Sequence, residues 1–154
     1  MGCPGCFNPQ THDREEAGEE ESVAKVMGRI LAAGTEGLTV SGGEPLQQAD
    51  AVVTLLEEAR AAGLSTLLFT GLTWEEVQRL PLALRILRCV DVLLAGRYVA
   101  ERRVAHGLLG SANQTVHLLS PRHTLEEIAA TPEAEAVILP DGRVVFSGIR
   151  PPER

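Results

Sequence analysis

Cys3 and Cys6 stand three positions apart in Cys3-Pro4-Gly5-Cys6-Phe7-Asn8-Pro9-Gln10-Thr11-His12, a stretch that Pro4, Gly5 and Pro9 keep irregular. Two thiols on such a loop can turn toward one point, and thiolates are soft ligands for zinc or an iron–sulfur cluster. The spacing also suits a redox dithiol, and two ligands complete no metal site. His12 reads either as a further zinc ligand, in a C-x-x-C-x5-H set, or as a loop histidine packing beside the cysteines. A second chemical signal is Thr39-Val40-Ser41-Gly42-Gly43-Glu44-Pro45-Leu46. Two glycines let the backbone turn sharply and approach a ligand closely, and Glu44 offers a carboxylate beside them. Cys89, between Arg88 and Val90 in an apolar setting, reads as a small buried hydrophobe. It precedes a strand rather than following one, which puts it at the opposite sheet edge from Gly42 to Glu44. Ser111, Asn113 and Gln114 form a polar loop that either holds a substrate peptide backbone or satisfies loop carbonyls. Trp74, Arg97, Tyr98 and His117 have no role beyond packing or surface.

The elements that must position these residues follow from periodicity and punctuation. Val23, Val26, Met27, Ile30 and Leu31 recur at helical spacing up to Gly34. The acidic run at 13–21 reads as a solvated lead into that helix. Leu38-Thr39-Val40 is a short strand running into the glycine turn. Asp50 caps a second helix with Val52, Leu55, Leu56 and Ala59 inward, ending near Gly63. A buried strand is expected over 65–69. Thr73 and Glu76 form a capping box for a third helix, which Pro81 interrupts or restarts through Leu87. Residues 90–95 are a further apolar strand. Residues 96–111 read as loop with one helical turn around 100–103, and 115–119 as a strand. Thr124 and Glu127 repeat the capping box before a short helix to Ala130. Last, 136–139 and 143–146 flank Pro140-Asp141-Gly142, a hairpin turn. Helices alternating with short strands predict an α/β fold with a mostly parallel sheet and a C-terminal β-hairpin. The alternation alone does not separate a doubly wound sheet from a partial barrel.

With 154 residues, 44% hydrophobic and 23% charged, the chain is sized for one domain with one core. A net charge of −7 excludes a basic nucleic-acid surface. No apolar run has the length of a membrane span and no signal peptide is visible, so a cytoplasmic location is expected by default. Three cysteines, an odd number, fit a reducing compartment and a metal role better than a disulfide framework.

Several stretches in order along the chain resemble the radical S-adenosylmethionine (SAM) superfamily, and within it the activating enzymes of anaerobic ribonucleotide reductase. They are Pro4 to His12, Gly42-Gly43-Glu44, Phe69-Thr70-Gly71-Leu72-Thr73-Trp74-Glu75-Glu76, Asp91-Val92-Leu93-Leu94-Ala95-Gly96-Arg97-Tyr98, Gly110-Ser111-Ala112-Asn113-Gln114 and 138–148. The resemblance implies a partial (β/α) barrel with the cofactor at the C-terminal edge of the strands. Cys3 and Cys6 would hold a [4Fe-4S] cluster whose fourth iron SAM chelates, and Gly42, Gly43 and Glu44 would hold the amino group of SAM. Thr70 and Gly71 join the cofactor-binding set by position alone. No side chain is given a catalytic role, because cluster and SAM carry the chemistry. The implied reaction is reductive cleavage of SAM and formation of a glycyl radical on a partner, the large subunit of anaerobic ribonucleotide reductase. A flavodoxin- or ferredoxin-type electron donor is implied with it. The family's first cysteine would lie four residues before Cys3, ahead of Met1, and a strand precedes it. Residues 1–154 are therefore expected to form a single domain begun inside the motif, with an unpaired edge at 38–40, a tendency to associate and a weakly held cluster. Two other readings stand beside the enzyme: a truncated, non-catalytic homologue that binds SAM or a partner, and a zinc-binding C-x-x-C protein.

Overall fold

The apolar stripe that starts at Val23 does become a helix, α1 (Val23–Ala32), opened by the Ser22 hydroxyl accepting from the Lys25 amide. After it come β1 (Gly37–Val40), a 3-10 turn (Pro45–Gln48), α2 (Ala49–Ala61), β2 (Ser65–Thr70), α3 (Trp74–Gln78), α4 (Ala83–Cys89) and β3 (Val92–Ala95). A second 3-10 turn (Ala100–Arg102) leads to β4 (Arg103–His106), β5 (Leu109–Ser111), β6 (Thr115–Leu118), α5 (Leu125–Ala129), β7 (Ala134–Ile138) and β8 (Val144–Gly148). This computed structural model describes residues 2–5 and 20–148.

Strands β1, β2 and β3 pair in parallel in that order, and β6 lies antiparallel on the far side of β3. The fold is thus mixed α/β with a mostly parallel sheet, and that sheet stays open rather than closing into a barrel. Strands β7 and β8 form the expected C-terminal hairpin, separate from the main sheet. One face of the sheet carries the main core. Leu68, Leu93 and Ala95 pack there with Val52, Val53 and Leu56 of α2, Val77 of α3 and Ile86 of α4. Helix α1 joins through Met27, which meets Ala59 and Leu64. On the other face Val92 and Leu94 meet Ile128 of α5 and partly buried residues of the β4–β5 hairpin and β6. Among the described residues that cover thins over the first strands: Leu67 and Phe69 of β2 pack half-buried against it, and Gly37 and Thr39 of β1 are exposed.

Four sequence expectations need correction. Asp50 does not cap α2; Pro45 starts a 3-10 turn capped by Glu44, and α2 continues from it with Asp50 in its first turn. Leu31 is exposed: among the described residues α1 packs chiefly against α2, Leu38 and Leu64, hiding a narrower stripe than the sequence offers. The apolar run at 90–95 enters the sheet only at Val92, since Val90 and Asp91 still belong to the connection from α4. The weakly periodic stretch 96–111 contains, besides its helical turn, the antiparallel pair β4–β5. Strands of three or four residues are too short to show a period. Gly107, with φ of 57°, marks their turn, and a Cβ there would stand 2.4 Å from the Ile128 carbonyl oxygen.

Candidate functional site

Three strand ends converge at one edge of the sheet, and side chains tie them together. Gly42 and Gly43 follow β1 and are exposed; Gly42 has φ of 130°, and a Cβ there would meet nothing within 4 Å. Glu44 is buried, and its carboxylate bridges two loops. Oε1 accepts from the Leu46 amide at 3.1 Å and from the Thr70 hydroxyl at 2.7 Å, while Oε2 accepts from the Gly71 amide at 2.8 Å. The Thr70 hydroxyl in turn accepts from the Leu72 amide at 3.1 Å. The Gly96 amide, just past β3, is shared between the carbonyls of Thr70 and Leu72 at 3.1 and 2.8 Å. A carboxylate has about four lone-pair sites. Protein donors fill three of those on Glu44, so it acts first as a strut between the β1 and β2 turns and keeps one acceptor position beyond that role.

The loop after β3 receives the cysteine loop. A Cβ added to Gly5, whose φ is 67°, would lie 3.3 Å from Ala100 Cβ and 4.0 Å from Tyr98 Cε1. Cys3 is half-buried on that loop. Cys6 and residues 7–12, His12 included, lie outside the described residues. Among the described residues no three His, Cys, Asp or Glu side chains gather as a metal-binding set. What the described residues show for a thiolate-ligated cluster is the donor type at Cys3 and the packing of Gly5 against Tyr98 and Ala100, beyond β3.

Ser111, Asn113 and Gln114 turn inward to the same loop and bond its backbone groups, as the second reading of their sequence expects. Ser111 Oγ accepts from the Val99 amide at 3.2 Å, and Gln114 Oε1 from the amides of Gly110 and Ser111 at 2.9 and 3.1 Å. Gln114 Nε2 donates to the Gly96 carbonyl and Asn113 Nδ2 to the Arg97 carbonyl, at 2.9 and 2.8 Å. They satisfy the backbone of residues 96–99. Asn113 Oδ1 is the exception, a buried oxygen with no hydrogen-bond donor.

Trp74 and His117 stack, with ring centroids 4.1 Å apart and planes 12° apart. Burial lowers the His117 pKa, against the opposing pull of Glu75, and Nε2 lies 2.8 Å from Thr115 Oγ1. Cys89 sits at the opposite edge, as its place before a strand implies. Its carbonyl accepts from the Thr66 hydroxyl near the start of β2, and burial, with the Glu57 charge second, pushes its thiol up to about 11. Beside it is a feature that sequence reasoning missed. The buried Asp91 carboxylate accepts from Arg60 at 2.9 Å, the Thr66 amide at 3.0 Å and Ser120 at 2.5 Å. Partners 25 to 31 positions away leave no local signal for it.

Residues 1–117 match the family described as the 4Fe-4S single cluster domain. The chain belongs to that family. No curated protein and no solved structure gives a significant match. As a 4Fe-4S single cluster domain protein it is an iron–sulfur protein, and the family match spans Cys3, Cys6, the Gly42 to Glu44 turn and the ends of β2 and β3. It stops before α5 and the C-terminal hairpin. Among the described residues no helix is long and apolar enough to cross a membrane.

Proposed function

We propose that the chain is a radical SAM activating enzyme that generates a glycyl radical on a partner protein, the partner being anaerobic ribonucleotide reductase, whose activating enzymes the sequence resembles. The observation that supports this reading best is the Glu44 strut. It holds an exposed Gly-Gly turn beside Thr70 and Gly71 at the C-terminal ends of β1 and β2.

In this reading Cys3 and Cys6 would supply two of the thiolate ligands of a [4Fe-4S] cluster, one short of the three that the family's motif provides, and Gly42, Gly43 and the remaining acceptor position of Glu44 would receive the amino group of SAM. Such a cluster, when bound and reduced, supplies the electron that cleaves the SAM sulfonium and leads to hydrogen abstraction from a partner glycine. The chain's own work is positional. Thr70 and Gly71 fix the Glu44 carboxylate, the glycines keep Cβ atoms out of ligand space, and Ser111, Asn113 and Gln114 hold the 96–99 loop against which Gly5 rests. The reducing equivalent comes from a flavodoxin- or ferredoxin-type donor.

The test is iron and sulfide analysis with electron paramagnetic resonance after anaerobic reconstitution. Wild-type protein is expected to take up weakly held iron that Cys3→Ala and Cys6→Ala do not take up, and its reduced signal to change shape on addition of SAM. Iron retention equal in all three proteins removes the cysteine loop as ligand. A cluster signal indifferent to SAM removes the SAM reading. Radical formation on the reductase large subunit, assayed with the same preparation, tests the choice of partner.

A further inference from the structure

Away from the glycine turn, at the start of β2, three side chains stand in a row that the chemistry proposed above does not use. Ser65 Oγ lies 2.6 Å from His123 Nε2, and His123 Nδ1 lies 3.7 Å from Glu127 Oε2. A carboxylate on the Nδ1 side favours the tautomer with its proton there, which leaves Nε2 to accept from the Ser65 hydroxyl. Nucleophile, base and carboxylate in that order are the arrangement by which a serine is activated. The row is held from outside. The Glu127 carboxylate accepts from the Thr124 amide at 2.9 Å in the capping box of α5, and Ile128 anchors that helix against Val92 and Leu94. The lead into α5 is fastened by Ser120 Oγ donating to Asp91 at 2.5 Å and by Arg122 donating to the Gly63 carbonyl at 2.9 Å.

The setting leaves Ser65 within reach. Ser65 and His123 are half-buried rather than sealed. Opposite Ser65 in the register stands Gly37, where a Cβ would come 3.2 Å from Ser65 Cβ, so the place beside Ser65 carries no side chain. Leu67 and Phe69, half-buried, follow along the same face of β2 and offer an apolar floor to an acyl group. Arg122 gives one Nη1 hydrogen bond to Gly63, and its guanidinium keeps further N–H donors for the oxyanion of a tetrahedral intermediate. We propose that Ser65, His123 and Glu127 form a second site, which hydrolyses esters of short apolar acids. Ser65 Oγ attacks the ester carbonyl carbon as its proton passes to His123 Nε2. The bond from that carbon to the alcohol oxygen breaks, and the alcohol leaves with the proton from Nε2. Water then attacks the acyl-serine and gives a proton to Nε2, and the carboxylic acid departs as Ser65 regains its own.

A fluorophosphonate, which an activated serine attacks at phosphorus with loss of fluoride, tests this on the full chain, the labelled residue being mapped by mass spectrometry. Wild type is expected to be labelled at Ser65 and to hydrolyse p-nitrophenyl acetate and butyrate. Ser65→Ala should abolish both, and His123→Gln should slow both roughly a hundredfold, the scale of a general base. Glu127 is a positioning residue. Glu127→Gln keeps an oxygen for the Thr124 amide and should lower kcat roughly tenfold or more at unchanged KM. Circular dichroism accompanies each variant, and if Ser65→Ala disturbs β2, the half-exposed His123→Gln decides. A wild type that is unlabelled, or labelled elsewhere than Ser65, overturns the proposal. So does labelling of Ser65 that His123→Gln leaves at the wild-type rate, the behaviour of a serine–histidine clasp without chemistry.

Discussion

At the scale of single residues, Glu44 has two roles that substitution can separate. Replacing it with alanine strands the Thr70 hydroxyl and the amides of Leu46 and Gly71. Leaving buried donors without an acceptor costs about 1–3 kcal/mol. Glu44→Ala is therefore expected to lower the urea midpoint as well as SAM affinity, whereas Gly43→Val should lower affinity with a smaller change in midpoint. Titration calorimetry and urea melts on both variants check this, and equal midpoints would deny the strut. Asp91 gives a pH prediction. Burial raises its pKa, but Ser120, the Thr66 amide and Arg60 together outweigh burial and hold the carboxyl below the usual range. A folded-state pKa below the unfolded one contributes stability that is complete above the ordinary carboxylate range near pH 4 and is lost as pH falls through the folded value. Asp91→Asn should be less stable than wild type at pH 7, with the difference shrinking toward pH 3 in denaturant melts. A constant difference across that range would show that Asp91 is not the titrating group.

At the scale of elements, the legible parts of the chain were those whose signals are local. The capping boxes at Thr73/Glu76 and Thr124/Glu127 form as their spacing implies, with both reciprocal hydrogen bonds present. The Asp141-Gly142 turn carries its hairpin, with Gly142 at φ of 83°. Helix α3 has only five residues, so its cap matters in proportion; Thr73→Ala is expected to cost about 1 kcal/mol, read from thermal melts. No local signal showed that β6 runs antiparallel or that β4 and β5 pair, since both depend on partners chosen in space. At the candidate site the sequence places Gly42, Gly43 and Glu44 after one strand and Thr70 and Gly71 at the end of the next, and hydrogen bonds from Thr70 and Gly71 to Glu44 join the two turns. That the Glu44 carboxylate would be satisfied mostly by Thr70 and Gly71 could not be read from residues 26 and 27 positions apart.

At the scale of the whole molecule, the two edges of the sheet do different work. The C-terminal edge carries the glycine turn, tied by Glu44 to Thr70 and Gly71, while the other edge is closed by Asp91, Thr66, Arg60 and the Cys89 carbonyl. A buried thiol held near 11 is a poor metal ligand at neutral pH, so Cys89→Ser should leave iron content after reconstitution unchanged. Loss of iron in that variant would put Cys89 at the wrong edge. The strut also bears on how the site resists local opening. Among the described residues strand β1 is the outermost of the main sheet, has four residues and pairs on one side only, so it is placed to fray first. The glycine turn that follows it would fray with it were Glu44 not fastened to Thr70 and Gly71 at the end of an interior strand. Native-state hydrogen exchange should then find the Leu46 amide protected with the slow kinetics of β2 rather than the faster kinetics of β1. In Thr70→Val that protection should fall to the level of the edge strand while β2 itself stays slow.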